Sequence, residues 1–418
     1  MGLTRYSAFS LLRHGLTRHR GWPRAWRSPE PKPGYAAIVI GGGGHGLATA
    51  YYLARNHGIH DVALIERGWI GGGNTGRNTT VVRSNYFFPE SAAFYDFSLR
   101  LFEGLSRDLN FNVMLSQRGM IILAHSRHDL ENARRWVNAM RLNGIDSEML
   151  DPDEVRRRVP QLNFGPTARY PVYGGFNQPR AGIARHDAVA WGYARAADAL
   201  GVDIIQNCEV EGFLTENGRA VGVRTSRGEI RAGRIGIAVA GHSSVLAQQA
   251  GFSLPVTSYA LQAMVSEPMK PVLDTVVLSP ATGVYVSQSD KGELVLGGGL
   301  DLYPSYAQRG SIPTVENVLS GLVEMFPSFG RVRWMRQWAG INDVVHDSSP
   351  IIGPTPVPGL YISCGWGTGG FKAIPAGGWC LAHTMANDRP HPLVEAFGLE
   401  RFRTGALVDE AAASGIAH

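Results

Sequence analysis

The sequence predicts an α/β protein: a Rossmann-like dinucleotide-binding domain, discontinuous along the chain, with an inserted α+β domain. Two observations carry that expectation. Residues 35–66 run as a short apolar stretch, a glycine cluster, an Ala-rich helical pattern and a second apolar stretch, which is the order of a βαβ nucleotide-binding unit. Two further strand-to-glycine turns follow near residues 240 and 365, separated from the first by β-rich segments of alternating pattern.

The first element is the most specific. In "YAAIVIGGGGHGLATAYYLARNHGIHDVALIER" a strand over Ala36 to Ile40 leads into Gly41, Gly43 and Gly46, in GxGxxG spacing. The first glycine permits the tight turn, the second lets backbone approach a pyrophosphate, and the third lets the helix pack on the strand. Gly44 and His45 lie inside the same loop, where backbone amides face the phosphates at the helix N-terminus. Glu66, twenty residues after Gly46, ends the second strand, where an acid hydrogen-bonds a ribose hydroxyl. A glycine-rich turn of some other βαβ unit is the bland alternative.

FAD and NAD share that fingerprint, so the rest of the layout discriminates between them. "RGWIGGGNTGRNTTVVRSNYFF" is a second glycine-rich loop whose Asn74, Thr75, Arg77 and Thr80 are polar enough to follow a long flat cofactor. "RIGIAVAGHSS" and "GLYISCGWGTGGFKAIPAGG" add a middle and a late visit, and Val210, Gly367, Gly370 and Lys372 join the assigned FAD contacts. Three separated visits are the layout of flavin oxidases.

The expected division is an N-terminal arm (1–34), a discontinuous FAD-binding domain (35–115, 178–251 and 346–400), a substrate domain (116–177 and 252–345) and a C-terminal tail (401–418). "GMIILAH", "GVYVSQS" and "ELVLGGGL" read as an antiparallel sheet, with "VENVLSGLVEMFP" as a helix covering it. The arm has six arginines and no acid before Glu30; it reads as a segment docking on a partner through Trp22 and Trp26, as a solvated tail, or as a targeting peptide.

Composition excludes several classes. The formal charge of +5 and the absence of basic runs interleaved with aromatics argue against nucleic acid. No run of about 18 apolar residues is present, so no membrane span is expected. Cys208, Cys364 and Cys380 have no zinc spacing, and no metal site is expected; buried thiols in a reducing compartment fit them. The 52 glycines exceed an average usage of about 7 % and cluster in a few loops, as backbone approaching a ligand requires.

In "FNQPRAGIARHDAVAWGYARAADALG" apolar residues recur at helical spacing through Val189, Trp191, Ala194 and Ala197. Asp187 is expected as N-cap, with His186 just outside the helix. From these residues alone His186 is either a solvated cap-region histidine or one aimed at a bound group.

Over nearly its whole length the chain resembles the beta subunit of heterotetrameric sarcosine oxidase. The matching runs include "RYSAFSLLRHGL", "RGWPRAWR", "GGGGHGLATAYYLA", "GGGNTGRNTTVVRSNY", "NQPRAGIARHDAVAW" and "GWGTGGFKAIPAGG". The resemblance implies the glutathione-reductase-type fold of the amine/D-amino-acid oxidase superfamily, and a cytoplasmic complex with alpha, gamma and delta subunits. It implies FAD held without a covalent bond and FMN attached covalently at His186. It also implies conversion of sarcosine, tetrahydrofolate and oxygen to glycine, 5,10-methylenetetrahydrofolate and hydrogen peroxide, with the folate on the alpha subunit.

An imidazole that is neutral near pH 7 is nucleophilic, so attachment at His186 is chemically sensible. A substrate carboxylate in a flavin-facing pocket calls for an Arg and a second cation. Arg83 and Lys372 match positions that bind that carboxylate in related sarcosine oxidases; pairing of Arg83 with Glu66 or Glu90, and a surface role for Lys372, are the bland alternatives. Monomeric relatives tether FAD through a cysteine in the segment corresponding to "WAGINDVVHDSSPIIG", which here holds none. A stand-alone FAD amine or D-amino-acid oxidase, and a non-catalytic scaffold subunit, are the rival readings.

Overall fold

The computed structural model describes residues 7–20 and 24–410. Trp22 and the ends of the expected arm and tail lie outside the described residues. Four β-branched or aliphatic residues per strand give Ala37–Ile40 and Val62–Ile65 their buried, all-apolar character. They sit side by side in a six-stranded sheet ordered Ile351–Pro354, Leu360–Cys364, Ile235–Ile237, Ala37–Ile40, Val62–Ile65, Asp203–Ile205. All neighbours run parallel except the first pair, an antiparallel hairpin. The helix Gly44–His57 crosses between the first two strands and is buried along ten of its residues. Its partner is the helix Ile374–Asn387; the methyl of Ala48 approaches Gly378 so closely that a side chain there would overlap it.

The second layer is an eight-stranded sheet ordered Trp334–Val345, Val256–Pro268, Glu293–Pro304, Val284–Gln288, Val276–Ser279, Met120–Ala124, Gly174–Gln178, Glu148–Leu150. It differs from the expected antiparallel sheet at one junction: Val276–Ser279 pairs with Met120–Ala124 in parallel. Those strands come from two chain segments 152 residues apart, so no hairpin constrains their direction. The helix Ile312–Met325 covers this sheet through Val318, Leu322 and Met325.

Two end segments differ from expectation. Trp26 packs against this chain's own core, and Arg27 bonds Asp198 at 2.8 Å and the Val202 carbonyl at 3.0 Å, so this part of the arm is spent on the α/β domain. The segment expected as a tail packs as far as Glu410: Arg401 forms a buried ion pair with Asp347 at 2.7 Å, and Val408 and Glu410 are buried.

Candidate functional site

The glycine loop is shaped as the spacing predicts. Gly41 has φ of +109°, and any side chain on it would overlap the Ala238 carbonyl oxygen. A side chain on Gly46 would overlap the Gly41 carbonyl oxygen; Gly46 therefore sits behind the loop as the packing residue, not in the cavity wall. Glu66 takes the Gly42 N–H at 2.7 Å with one oxygen and the Gly68 N–H at 2.8 Å with the other. Thr75 Oγ1 accepts the Gly44 N–H at 2.9 Å, joining the two glycine-rich loops. The side-chain amide of Asn74 pairs with both backbone groups of Ile341, which fastens the second loop to the inserted sheet. Arg77 turns back on the carbonyls of Gly72 and Gly73.

These residues enclose a groove of about 360 Å³ whose wall includes Gly41, Gly43, Gly44, His45, Glu66, Asn74, Thr75, Arg77 and Val210. A Cβ on Gly43 would crowd Thr75 Oγ1 at 3.2 Å. A dinucleotide fits this donor set: backbone amides at a helix N-terminus for phosphates, and a carboxylate at the end of the second strand for a ribose.

His45 does more than lend its amide. Its ring stacks on Trp366 at 4.5 Å, and Nε2–H donates to the Gly370 carbonyl at 2.8 Å. Burial holds its pKa down to about 4, so the ring is neutral and clamps the phosphate loop to the Gly367–Gly370 turn. Asp343, which sequence reasoning missed, braces that turn from below by accepting the Gly365 N–H at 2.6 Å. Burial raises its pKa to about 7.

Arg83 and Lys372 converge. The guanidinium of Arg83 lies 4.9 Å from the Tyr86 ring centre and Nζ of Lys372 lies 6.0 Å from it. Lys372 is 4 % exposed, which removes the surface alternative, and among the described residues neither cation has an ion-pair partner. Arg83 donates instead to Asn85 Oδ1 at 2.5 Å, and Lys372 to the Thr368 carbonyl at 2.9 Å. Burial first, and the Arg83 charge second, push the Lys372 ammonium well below its ordinary pKa. Tyr86 stacks on Tyr95 at 3.7 Å, and both hydroxyls approach Gly369. Tyr285 hydrogen-bonds Thr79 at 2.8 Å from the inserted sheet. Tyr86 stands three residues from Arg83 and was within reach of a local reading; Tyr285 carries no local signal.

His186 lies elsewhere, in a second cavity of about 960 Å³. The helix begins at His186 with Arg185 as its N-cap, two residues earlier than expected. Asp187 falls in the first turn because its carboxylate is taken by Arg185 at 3.0 Å and by the Ala188 N–H at 2.8 Å. Trp191, expected on the buried face, is 45 % exposed. Burial lowers the His186 pKa, opposed by Asp187 and aided by Arg185, and Nδ1 is buried without a hydrogen-bond partner. Thr80, assigned to the dinucleotide, lines this second cavity instead, together with Arg118, Lys291 and Arg336. Trp69, Gly72 and Arg77 line both cavities, so the two share a wall. Arg118, Arg185, Lys291 and Arg336 outnumber Asp290 and Glu293 in the second cavity, which suits a phosphate, and an imidazole with an unpartnered nitrogen suits a covalent link, so the residues fit a mononucleotide flavin.

Residues 36–384 match the family model described as DAO, FAD dependent oxidoreductase. The sarcosine oxidase subunit beta of Rhodobacter capsulatus is 54 % identical over 417 residues, covering 100 % of both chains. The chain belongs to the sarcosine oxidase beta-subunit family. The subunit beta of Rhizobium meliloti is likewise 54 % identical, over 97 % of each chain. Among solved structures, an L-proline dehydrogenase from P. horikoshii superposes with a TM-score of 0.84 at 26 % identity, covering 91 % of this chain and 100 % of that one. The family match supports FAD as the dinucleotide cofactor of this chain. Among the described residues no helix is long and apolar enough to cross a membrane.

Proposed function

We propose that this chain is the amine-oxidising subunit of a sarcosine oxidase complex, with FAD in the glycine-loop groove and FMN bound covalently to His186. The observation that carries the first half is the buried Arg83–Lys372 pair around Tyr86, two cations without an acid in ion-pair distance among the described residues. Such a pair is costly unless an anion completes it, and the carboxylate of a small amino acid has the right charge and size. Arg83 offers a planar fork and Lys372 a point charge, so the two fix the carboxylate end and leave the N-methyl end to face the flavin. The tyrosine stack and the helix Pro89–Asp108, whose Ser98 holds the Lys372 carbonyl at 2.6 Å, keep both cations from turning to solvent. A bound carboxylate would oppose the burial and the Arg83 charge that lower the Lys372 pKa.

When bound, FAD would accept a hydride equivalent from the N-methyl group, and FMN would hand the electrons to oxygen, giving hydrogen peroxide. The oxidised one-carbon unit passes to tetrahydrofolate on an alpha subunit, leaving glycine and 5,10-methylenetetrahydrofolate; gamma and delta subunits complete the assembly, and its location is the cytoplasm. The family names of the relatives support the multi-subunit reading. The covalent link is supported by the lowered pKa and unpartnered Nδ1 of His186 in a cavity that shares a wall with the groove. Acid precipitation of the purified complex tests it. Flavin is expected to stay with this chain in the wild type and to be absent from it in His186→Ala, while acid-released FAD is unchanged; flavin retained by His186→Ala refutes the link.

A further inference from the structure

Arg83 to Phe88 form a short segment between the strand Val81–Val82 and the helix Pro89–Asp108. Its middle is tied to neighbouring elements: the Ser84 N–H donates to Gln178 at 2.9 Å, and the Asn85 carbonyl accepts the Trp136 indole N–H at 3.1 Å. Its far end is Phe87 and Phe88, whose N–H groups have no acceptor inside the helix. Phe88, the N-cap residue, has no side chain able to supply one. Glu410 supplies both from the other end of the chain. One carboxylate oxygen takes the Phe87 N–H at 3.1 Å and the other takes the Phe88 N–H at 2.9 Å. Glu410 is 2 % exposed, so this is a built contact and not a surface cap. Burial raises the Glu410 pKa, the Phe88 and Phe87 N–H groups and, more weakly, the Arg83 charge oppose that shift, and Glu410 and Arg83 form no ion pair.

We propose that Glu410 is a positioning residue for the substrate-carboxylate site: by fixing the backbone at Phe87 and Phe88 it sets the direction in which Arg83 and Tyr86 face Lys372. The role rests on the reading of Arg83 and Lys372 as the carboxylate-binding pair. Distance matters to it. A carboxylate in contact with Arg83 would occupy the fork the substrate must use, whereas one held just beyond leaves the fork open. Removing it leaves two half-buried N–H groups without their acceptor at the helix entry, and the segment bearing Arg83 must shift to reach other acceptors.

The test uses the flavin-loaded complex, with acetate as a bare carboxylate probe read through the flavin absorption spectrum. Glu410→Ala removes both acceptors; Glu410→Gln keeps the shape and one acceptor. Acetate affinity is expected to fall about tenfold in Glu410→Ala and by less in Glu410→Gln, with KM for sarcosine rising in step and kcat changing less than about twofold. A lower melting temperature with unchanged acetate affinity and KM overturns the proposal and leaves Glu410 a helix cap only. Should Glu410→Ala not fold, Glu410→Gln decides by the same readings. Arg83→Met and Lys372→Met separate the two levels: unchanged acetate affinity in both refutes the cation-pair reading and the positioning role with it, whereas a loss there without one at Glu410 refutes the positioning role alone.

Discussion

Lys372→Met is the sharpest single perturbation of the proposed chemistry. Methionine keeps most of the aliphatic stem and removes one ammonium, whose only hydrogen bond among the described residues is to the Thr368 carbonyl at 2.9 Å. A hydrogen bond from a charged donor contributes about 1.5–3 kcal/mol, and leaving one partner of a buried charge pair alone costs about 3–5 kcal/mol. Taking about 3 kcal/mol for the lost contact to the substrate carboxylate, kcat/KM for sarcosine is expected to fall on the order of 100-fold. Folding should respond in the opposite sense. The Lys372 pKa is lowered in the folded state, so between that lowered value and 10.5 the folded protein binds fewer protons than the unfolded chain, and wild-type stability rises with pH across the window. The substitution abolishes that dependence, so Lys372→Met should be at least as stable as the wild type, with its advantage greatest at the low-pH end. Steady-state kinetics, FAD content and melting temperature at several pH values check this. A kcat/KM within about threefold of wild type, with FAD content and melting temperature intact, would refute the assignment of Lys372 to the substrate carboxylate.

Two further outcomes follow from contacts with different jobs. Gly46→Ala places a methyl group into the Gly41 carbonyl oxygen, so the helix must move off the strand at an overpacking cost of about 1–3 kcal/mol; purified protein should carry less FAD, and full FAD occupancy would contradict the packing role. Arg401→Met strands Asp347 in the core, where the pair is 3 % and 0 % exposed; a loss of about 3–5 kcal/mol is expected in chemical unfolding, and a change below about 1 kcal/mol would show the pair to be dispensable.

The extent to which this site was legible in the sequence follows from how far apart its parts lie in the chain. Gly41, Gly43, Gly46 and Glu66 lie within one βαβ unit of some thirty residues, where turn, helix and strand geometry leave little freedom, and the turn at Gly41 and the packing at Gly46 followed from spacing. The N-cap of the helix after Arg185 was misplaced by two residues because the Arg185–Asp187 pair, and not a capping bond, takes the Asp187 carboxylate. Trp191 was placed on the buried face because periodicity alone does not say where a helix stops being covered. Thr80 lies in a loop of polar residues with no period, and only the fold shows that the loop leaves the groove and enters the second cavity.

By itself, then, the sequence determined the α/β class, the dinucleotide loop and the residue types able to neutralise a carboxylate, because each depends on short-range spacing or on chemistry that a residue carries anywhere. Tertiary structure decided the rest. Arg83 and Lys372 stand 289 positions apart, and they meet only because the Ile374–Asn387 helix packs on Gly44–His57 while Ser98 of the Pro89–Asp108 helix holds the Lys372 carbonyl. Glu410 reaches Phe87 and Phe88 across 323 and 322 positions, and Trp69, Gly72 and Arg77 become one wall between two cavities. Such contacts are set by the packing of whole layers, and no local pattern records which distant side chain closes them.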